Sequence, residues 1–134
     1  MINLYKLITN ILYPVLILLI YLRKIFKKED QIRFKEKIFF SNFNVKRNHN
    51  CKLFWFHAAS VGEIKSILPL INELNSRYKK VEYLITTVTL SSGDLAKKEI
   101  KKFKNVQHRY FPIDVNFLAN KFLINWKPDR IFFV

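Results

Sequence analysis

The sequence predicts an α/β chain, a Rossmann-like parallel sheet preceded by an N-terminal membrane-anchor helix. Three observations carry that expectation. Ile11 to Leu22 is an unbroken apolar run, ILYPVLILLIYL, followed by the basic cluster Arg23, Lys24, Lys27 and Lys28. From Lys52 onward, short strand-like apolar runs alternate with helical patterns, as in βαβ units. The residue types that do chemistry gather in the turns between them. The predicted organisation is an anchor over residues 1–24, a basic juxtamembrane helix and loop over 25–50, and a half domain over 51–134.

The apolar segment comes first. Leu4, Leu7 and Ile8 extend it toward the N-terminus, and from Leu7 to Leu22 a helix rises about 24 Å, against about 30 Å of hydrocarbon. Such a helix spans with local thinning or lies as a deep monotopic anchor. Pro14 is tolerated in either case. A cleaved signal would put small residues after the run. Basic residues stand there instead, which predicts an uncleaved anchor, places the rest of the chain in the cytoplasm and attracts anionic membrane lipids.

Residues 23 to 50 read as a short amphipathic helix around Glu29 to Phe40, then the loop SNFNVKRNHN. Next come a strand over Leu53–His57 and a helix from Val61 to Tyr78, whose Ile64, Ile67, Leu68, Ile71 and Leu74 share one face. A second strand covers Val81–Thr87, and a Lys-rich helix covers Gly93–Phe103. Val106–Phe111, Val115–Trp126 and Arg130–Val134 are the third strand, the last helix and the fourth strand. The chain stops inside that strand, which predicts a half domain truncated at its C-terminus.

Composition narrows the function classes. Twenty-four Lys and Arg face ten Asp and Glu, for a net charge of +14, which favours anionic partners. Nucleic acid is not among the expected ones: no RNP pattern, helix-turn-helix or aromatic stacking platform is present. The single cysteine, Cys51, excludes an internal disulfide and a Cys-rich metal site, and is expected to be a small buried thiol. No His–carboxylate set has ligand spacing, so no metal is expected.

His57-Ala58-Ala59-Ser60-Val61-Gly62-Glu63 joins the first strand to its helix. Small residues let a ligand approach the backbone, Gly62 permits a tight entry, and the helix start offers N–H groups to an anion. Two readings of Glu63 stand side by side. Ser60 followed by Glu63 spells a capping box; a carboxylate at the ligand edge of a sheet is also placed to serve as a general base. His57 is either a satisfied structural residue or part of the site. Thr86 to Gly93, TTVTLSSG, is either ordinary capping by Ser91 or Ser92, with Asp94 in the first turn, or a sugar- or phosphate-binding loop. Asp114 of YFPID reads as the next N-cap, with a cleft-facing role left open.

Together HAASVGE, TTVTLSSG, YFPID and the closing P-x-R-I-F-F-V resemble, in order and spacing from about Arg33 to Val134, the 3-deoxy-D-manno-octulosonic acid (Kdo) transferases. The resemblance implies the N-terminal half of a GT-B glycosyltransferase that inverts, works without an essential metal or cofactor, and moves Kdo from the donor CMP-Kdo to a lipid A precursor in lipopolysaccharide core biosynthesis. It implies Glu63 as the catalytic base, with Ser60 and Gly62 shaping the acceptor side. It implies a bacterial inner membrane location on the cytoplasmic face. The family's acidic segment after the last strand and its nucleotide-sugar half are absent, so the 134 residues alone are expected to be inactive. The rival expectation is a non-catalytic membrane-anchored binding module or an inactive truncated product.

Overall fold

The computed structural model describes every residue from Met1 to Val134. Its main elements are α1 (Ile2–Ile25), β1 (Lys52–His57), α2 (Val61–Arg77), β2 (Val81–Thr87), α3 (Leu90–Glu99), β3 (Val106–Tyr110), α4 (Asn116–Trp126) and β4 (Arg130–Phe133). They fall into two compact units. One joins Met1–Val45 to Pro112–Trp126; the other joins Lys46–Phe111 to Lys127–Val134.

The second unit is the expected parallel sheet, in the order β3-β2-β1-β4. The chain runs outward from β1 through β2 to β3, then returns to β4 on the other side of β1. That reversal makes the carboxyl end of β1 a topological switch point, the place where open α/β sheets take ligands. Asp129 fixes the returning strand: its carboxylate accepts from Leu53 N–H at 2.7 Å and pairs with Arg47 at 3.0 Å, while its own N–H donates to the Leu53 carbonyl at 2.8 Å. β2 has the bounds read from its apolar run, and α2 ends one residue before the expected Tyr78.

Ile64, Ile67 and Ile71 lie three and four residues apart, so α2 turns one stripe inward. They are buried with Phe56, Tyr83, Ile85 and Val106 of the sheet. Each such side chain is worth about 1.5–3 kcal/mol of burial. α3 begins at Leu90, three residues before the expected Gly93, because Thr89 caps it: Thr89 Oγ1 accepts from Ser92 N–H at 3.2 Å. The cap is therefore neither Ser91 nor Ser92. Beyond Glu99 the helix tightens into a 3₁₀ turn over Ile100–Lys102.

Gly93 has a use that spacing did not reveal. A Cβ there would stand 2.3 Å from the hydroxyl of Tyr110, a buried side chain at the end of β3. Gly93→Ala is expected to lower stability by about 1–3 kcal/mol, as overpacking does. Urea unfolding measures it, and an unchanged midpoint would show that Tyr110 moves aside without cost.

In the first unit the amphipathic helix expected over Glu29–Phe40 does not form. Two 3₁₀ turns, Arg33–Lys37 and Phe40–Asn42, stand in its place. The reason lies in the charges. Glu29, Glu36 and Lys37 are buried beside Phe34 and Ile38, so the segment has no single polar face to give to water. Glu29 accepts from Lys37 and, at 2.7 Å, from Arg23. Asp30 holds the chain in a turn, accepting from the N–H groups of Ile32 at 3.0 Å and Arg33 at 2.8 Å.

Candidate active site

The site is built on the loop after β1. His57 ends the strand half-buried, opposite Thr86 of β2. The buried Thr86 hydroxyl accepts from Trp55 Nε1 at 2.8 Å and lies 2.9 Å from His57 Nδ1. An indole N–H only donates. The threonine proton is thus left for Nδ1, and the ring hydrogen of a neutral His57 belongs on Nε2. Burial pushes His57 below its ordinary value of 6.5, partly offset by the charge of Glu63. The ring packs on Phe111 at 4.7 Å and Phe133 at 5.6 Å. His57 is therefore a satisfied, neutral residue at physiological pH that also senses the site carboxylate.

Glu63 carries the capping box that the spacing predicted. Ser60 Oγ accepts from Glu63 N–H at 3.3 Å, and Glu63 Oε2 accepts from Ala59 N–H at 2.6 Å and Ser60 N–H at 3.3 Å. Both backbone bonds fall on one oxygen, so Oε1 has no backbone partner. The carboxyl is held below its ordinary value of 4.5, first by the Ser60 hydroxyl, then by Ala59 N–H, with Ser60 N–H and His57 adding to the effect. The arrangement is a fixed, ionised carboxylate with one oxygen anchored. The cap uses one oxygen of the carboxylate and leaves the other without a backbone donor.

Ser60 and Gly62 are exposed at the start of α2. Gly62 is not there for a strained turn: no glycine in the chain has positive φ, and a Cβ at Gly62 would meet nothing nearer than Ser60 Oγ at 4.0 Å. Its smallness instead leaves the first turn of α2 open to approach, where helix N–H groups lack intrahelical acceptors. Ser60→Ala removes the cap acceptor and is expected to cost about 1 kcal/mol, read by thermal or urea unfolding. A loss well below that would mean the Glu63 side chain alone holds the helix start.

The hydroxyl-rich loop after β2 opens at the same sheet edge, since all strands run parallel. Its hydroxyls are used by the chain itself. Thr87 Oγ1 lies 2.8 Å from Nε2 of the buried His108, and Thr89 Oγ1 lies 2.7 Å from Ser92 Oγ. Only Val88, Thr89 and Ser91 of this loop stay exposed. Sequence reasoning missed the Trp55–Thr86–His57 relay and the Thr87–His108 pair. Strand alternation held the signal for the first, because His57 and Thr86 fall opposite each other once β1 and β2 are aligned in parallel. Two further expectations are corrected. Asp114 does not cap α4, which begins at Asn116; its carboxylate accepts from the Tyr5 hydroxyl. Cys51 is half-buried rather than enclosed, because it precedes β1 in a turn, its N–H donating to the Asn48 carbonyl.

Residues 32–134 match the family described as 3-Deoxy-D-manno-octulosonic-acid transferase (kdotransferase). The 3-deoxy-D-manno-octulosonic acid transferase of Rickettsia bellii is 34% identical over 134 residues, all of this chain and 31% of that protein. That of Rickettsia felis is 38% identical over 82 residues, 61% of this chain and 17% of that protein. A probable mitochondrial 3-deoxy-D-manno-octulosonic acid transferase of Arabidopsis thaliana is 34% identical over 79 residues, 59% of this chain and 17% of that protein. The chain thus spans about a third or less of the length of these relatives. No solved structure matches it significantly.

Proposed function

We propose, from the premise that this chain belongs to the 3-deoxy-D-manno-octulosonic-acid (Kdo) transferase family, that it supplies the acceptor side of an inverting GT-B glycosyltransferase. The reaction moves Kdo from CMP-Kdo to a lipid A precursor in lipopolysaccharide synthesis. The observation that carries this reading is Glu63 at the switch point of the sheet, with one oxygen pinned by backbone and the other without a backbone partner.

The step balances simply. An acceptor hydroxyl attacks the anomeric carbon of Kdo and gives its proton to Glu63 Oε1. The bond from that carbon to the CMP phosphate oxygen breaks, and CMP leaves with the electron pair. A single in-line displacement inverts the anomeric centre, and the step runs without metal or other cofactor. A carboxylate held at low pKa is a weak base in water. An acceptor sugar seated over it removes solvent from that carboxylate and raises its basicity toward the useful range. Ser60 and Gly62 form the near wall, where the opening of α2 admits a sugar or its phosphate.

In this reading the donor half belongs to the rest of the polypeptide that the relatives possess, and the 134 residues alone do not turn over. The test uses the full-length protein in membranes with CMP-Kdo and a lipid A precursor, with mass spectrometry of the lipid product. The expected result is a precursor heavier by Kdo units. A folded, membrane-associated protein that leaves the precursor unmodified would overturn the reading.

A further inference from the structure

By length and composition α1 is able to cross a membrane, and Ile20 is its one buried residue. Its contacts within the first unit point elsewhere. We propose that α1 lies along an anionic bilayer surface with one stripe inserted, and does not cross it. This rests on the packing of α1 and stands whether or not the transferase reading does.

At about 100° per residue, the half-buried and buried positions Lys6, Thr9, Tyr13, Leu16, Ile17, Ile20 and Lys24 form one stripe. The opposite stripe, Leu4, Ile11, Val15, Leu18, Leu22 and Ile25, is apolar throughout and exposed, from 42% at Leu22 to 72% at Ile25. Polar side chains keep off that stripe: Lys6, Thr9 and Lys24 all sit on the packed side.

The packed stripe is covered along its length by the irregular chain before β1 and by α4. Tyr5 donates to Asp114 at one end. Tyr13 donates to the Ile38 carbonyl, and its ring meets Phe117 at 4.9 Å. Ile17 and Ile20 pack on Phe34 and Ile38 of the 3₁₀ segment, and Lys24 lies 4.7 Å over the Phe34 ring. From Tyr5 to Lys24 the helix rises about 28 Å, nearly the hydrocarbon thickness of about 30 Å. A span would therefore carry the 3₁₀ backbone around Ile38, which lies against Tyr13 and Ile17 in the middle of the helix, into lipid, where irregular backbone is not tolerated. Lying flat, the helix inserts only its apolar stripe, about 5–10 Å deep. Charge selects the occupant. The exposed Lys27 and Lys28 follow its C-terminal end, with Arg23 half-exposed before them, and they match phosphatidylglycerol headgroups.

The test uses the full chain in which Cys51→Ser removes the native thiol and single cysteines replace Leu4, Val15 or Leu22. Nitroxide labels at these sites, in vesicles of phosphatidylethanolamine and phosphatidylglycerol, are expected to report the same shallow depth. Binding should exceed that to phosphatidylcholine vesicles by about tenfold or more. In intact cells an Ile2→Cys variant should react with an impermeant maleimide only from the cytoplasmic side, in inverted vesicles and not in spheroplasts. A depth profile deepest at Val15 with Ile2→Cys labelled from outside means a span and overturns the proposal. Self-association through α1 with no lipid dependence means a second copy covers the stripe, and overturns it as well.

Discussion

Glu63→Gln in the full-length protein is expected to lower kcat for Kdo transfer by about 10²–10⁴-fold, the usual worth of a positioned general base. The acceptor KM should change little. Glutamine keeps a carbonyl oxygen that still accepts from Ala59 and Ser60 N–H, so the start of α2 stays capped. What it lacks is a lone pair basic enough to take the hydroxyl proton. The structural alternative predicts the reverse pattern, because a residue that only caps a helix would, when altered, lower the unfolding midpoint and leave turnover intact. Steady-state kinetics and an unfolding curve on the same preparation separate the two.

Glu29→Gln should lower the stability of the first unit by about 3 kcal/mol, the low end for breaking a buried ion pair. Lys37 and Glu29 are both buried, and Arg23 approaches the same carboxylate. Burial holds the Lys37 ammonium below its ordinary value of 10.5, opposed by its hydrogen bond to Glu29 and by Asp30 beyond it. Without the Glu29 charge the burial cost remains and most of the compensation goes; the nearby Asp30 is the reason for the low figure. Denaturant unfolding measures the loss. A change under about 0.5 kcal/mol, the range of an ordinary surface substitution, would show that water already reaches Lys37.

The sheet was legible because its strands are short apolar runs closed by polar turns, and because buried parallel strands need no further signal. β2 and α2 came out nearly to the residue for that reason. The 3₁₀ segment was not legible: Phe34 and Ile38 lie four apart as in a helix, and only the fold reveals that Glu36 and Lys37 also turn inward. α3 was misjudged at its start because Thr89, Ser91 and Ser92 are equally good caps on paper, and packing of Gly93 against Tyr110 selects the register. At the site, the capping box was readable from Ser60 and Glu63 alone. The switch-point position of that loop was not, since it depends on β4 joining the sheet beside β1. The tight entry expected at Gly62 is not required by the backbone, since its φ is not positive and a Cβ would fit there.

Transfer by this site requires an ionised Glu63 to receive the acceptor proton, and the pH dependence of kcat/KM tests that requirement most directly. Glu63 is held below its ordinary 4.5, chiefly by the Ser60 hydroxyl. A group depressed in this way adds stability that is complete above its unfolded value and lost as pH falls through its folded value. The base follows the same titration, so the acid limb of kcat/KM should lie below the ordinary carboxylate value of 4.5, and Glu63→Gln should be slow and lack that limb. A Glu63→Gln enzyme within a few-fold of wild type, with the same acid limb, would contradict the account.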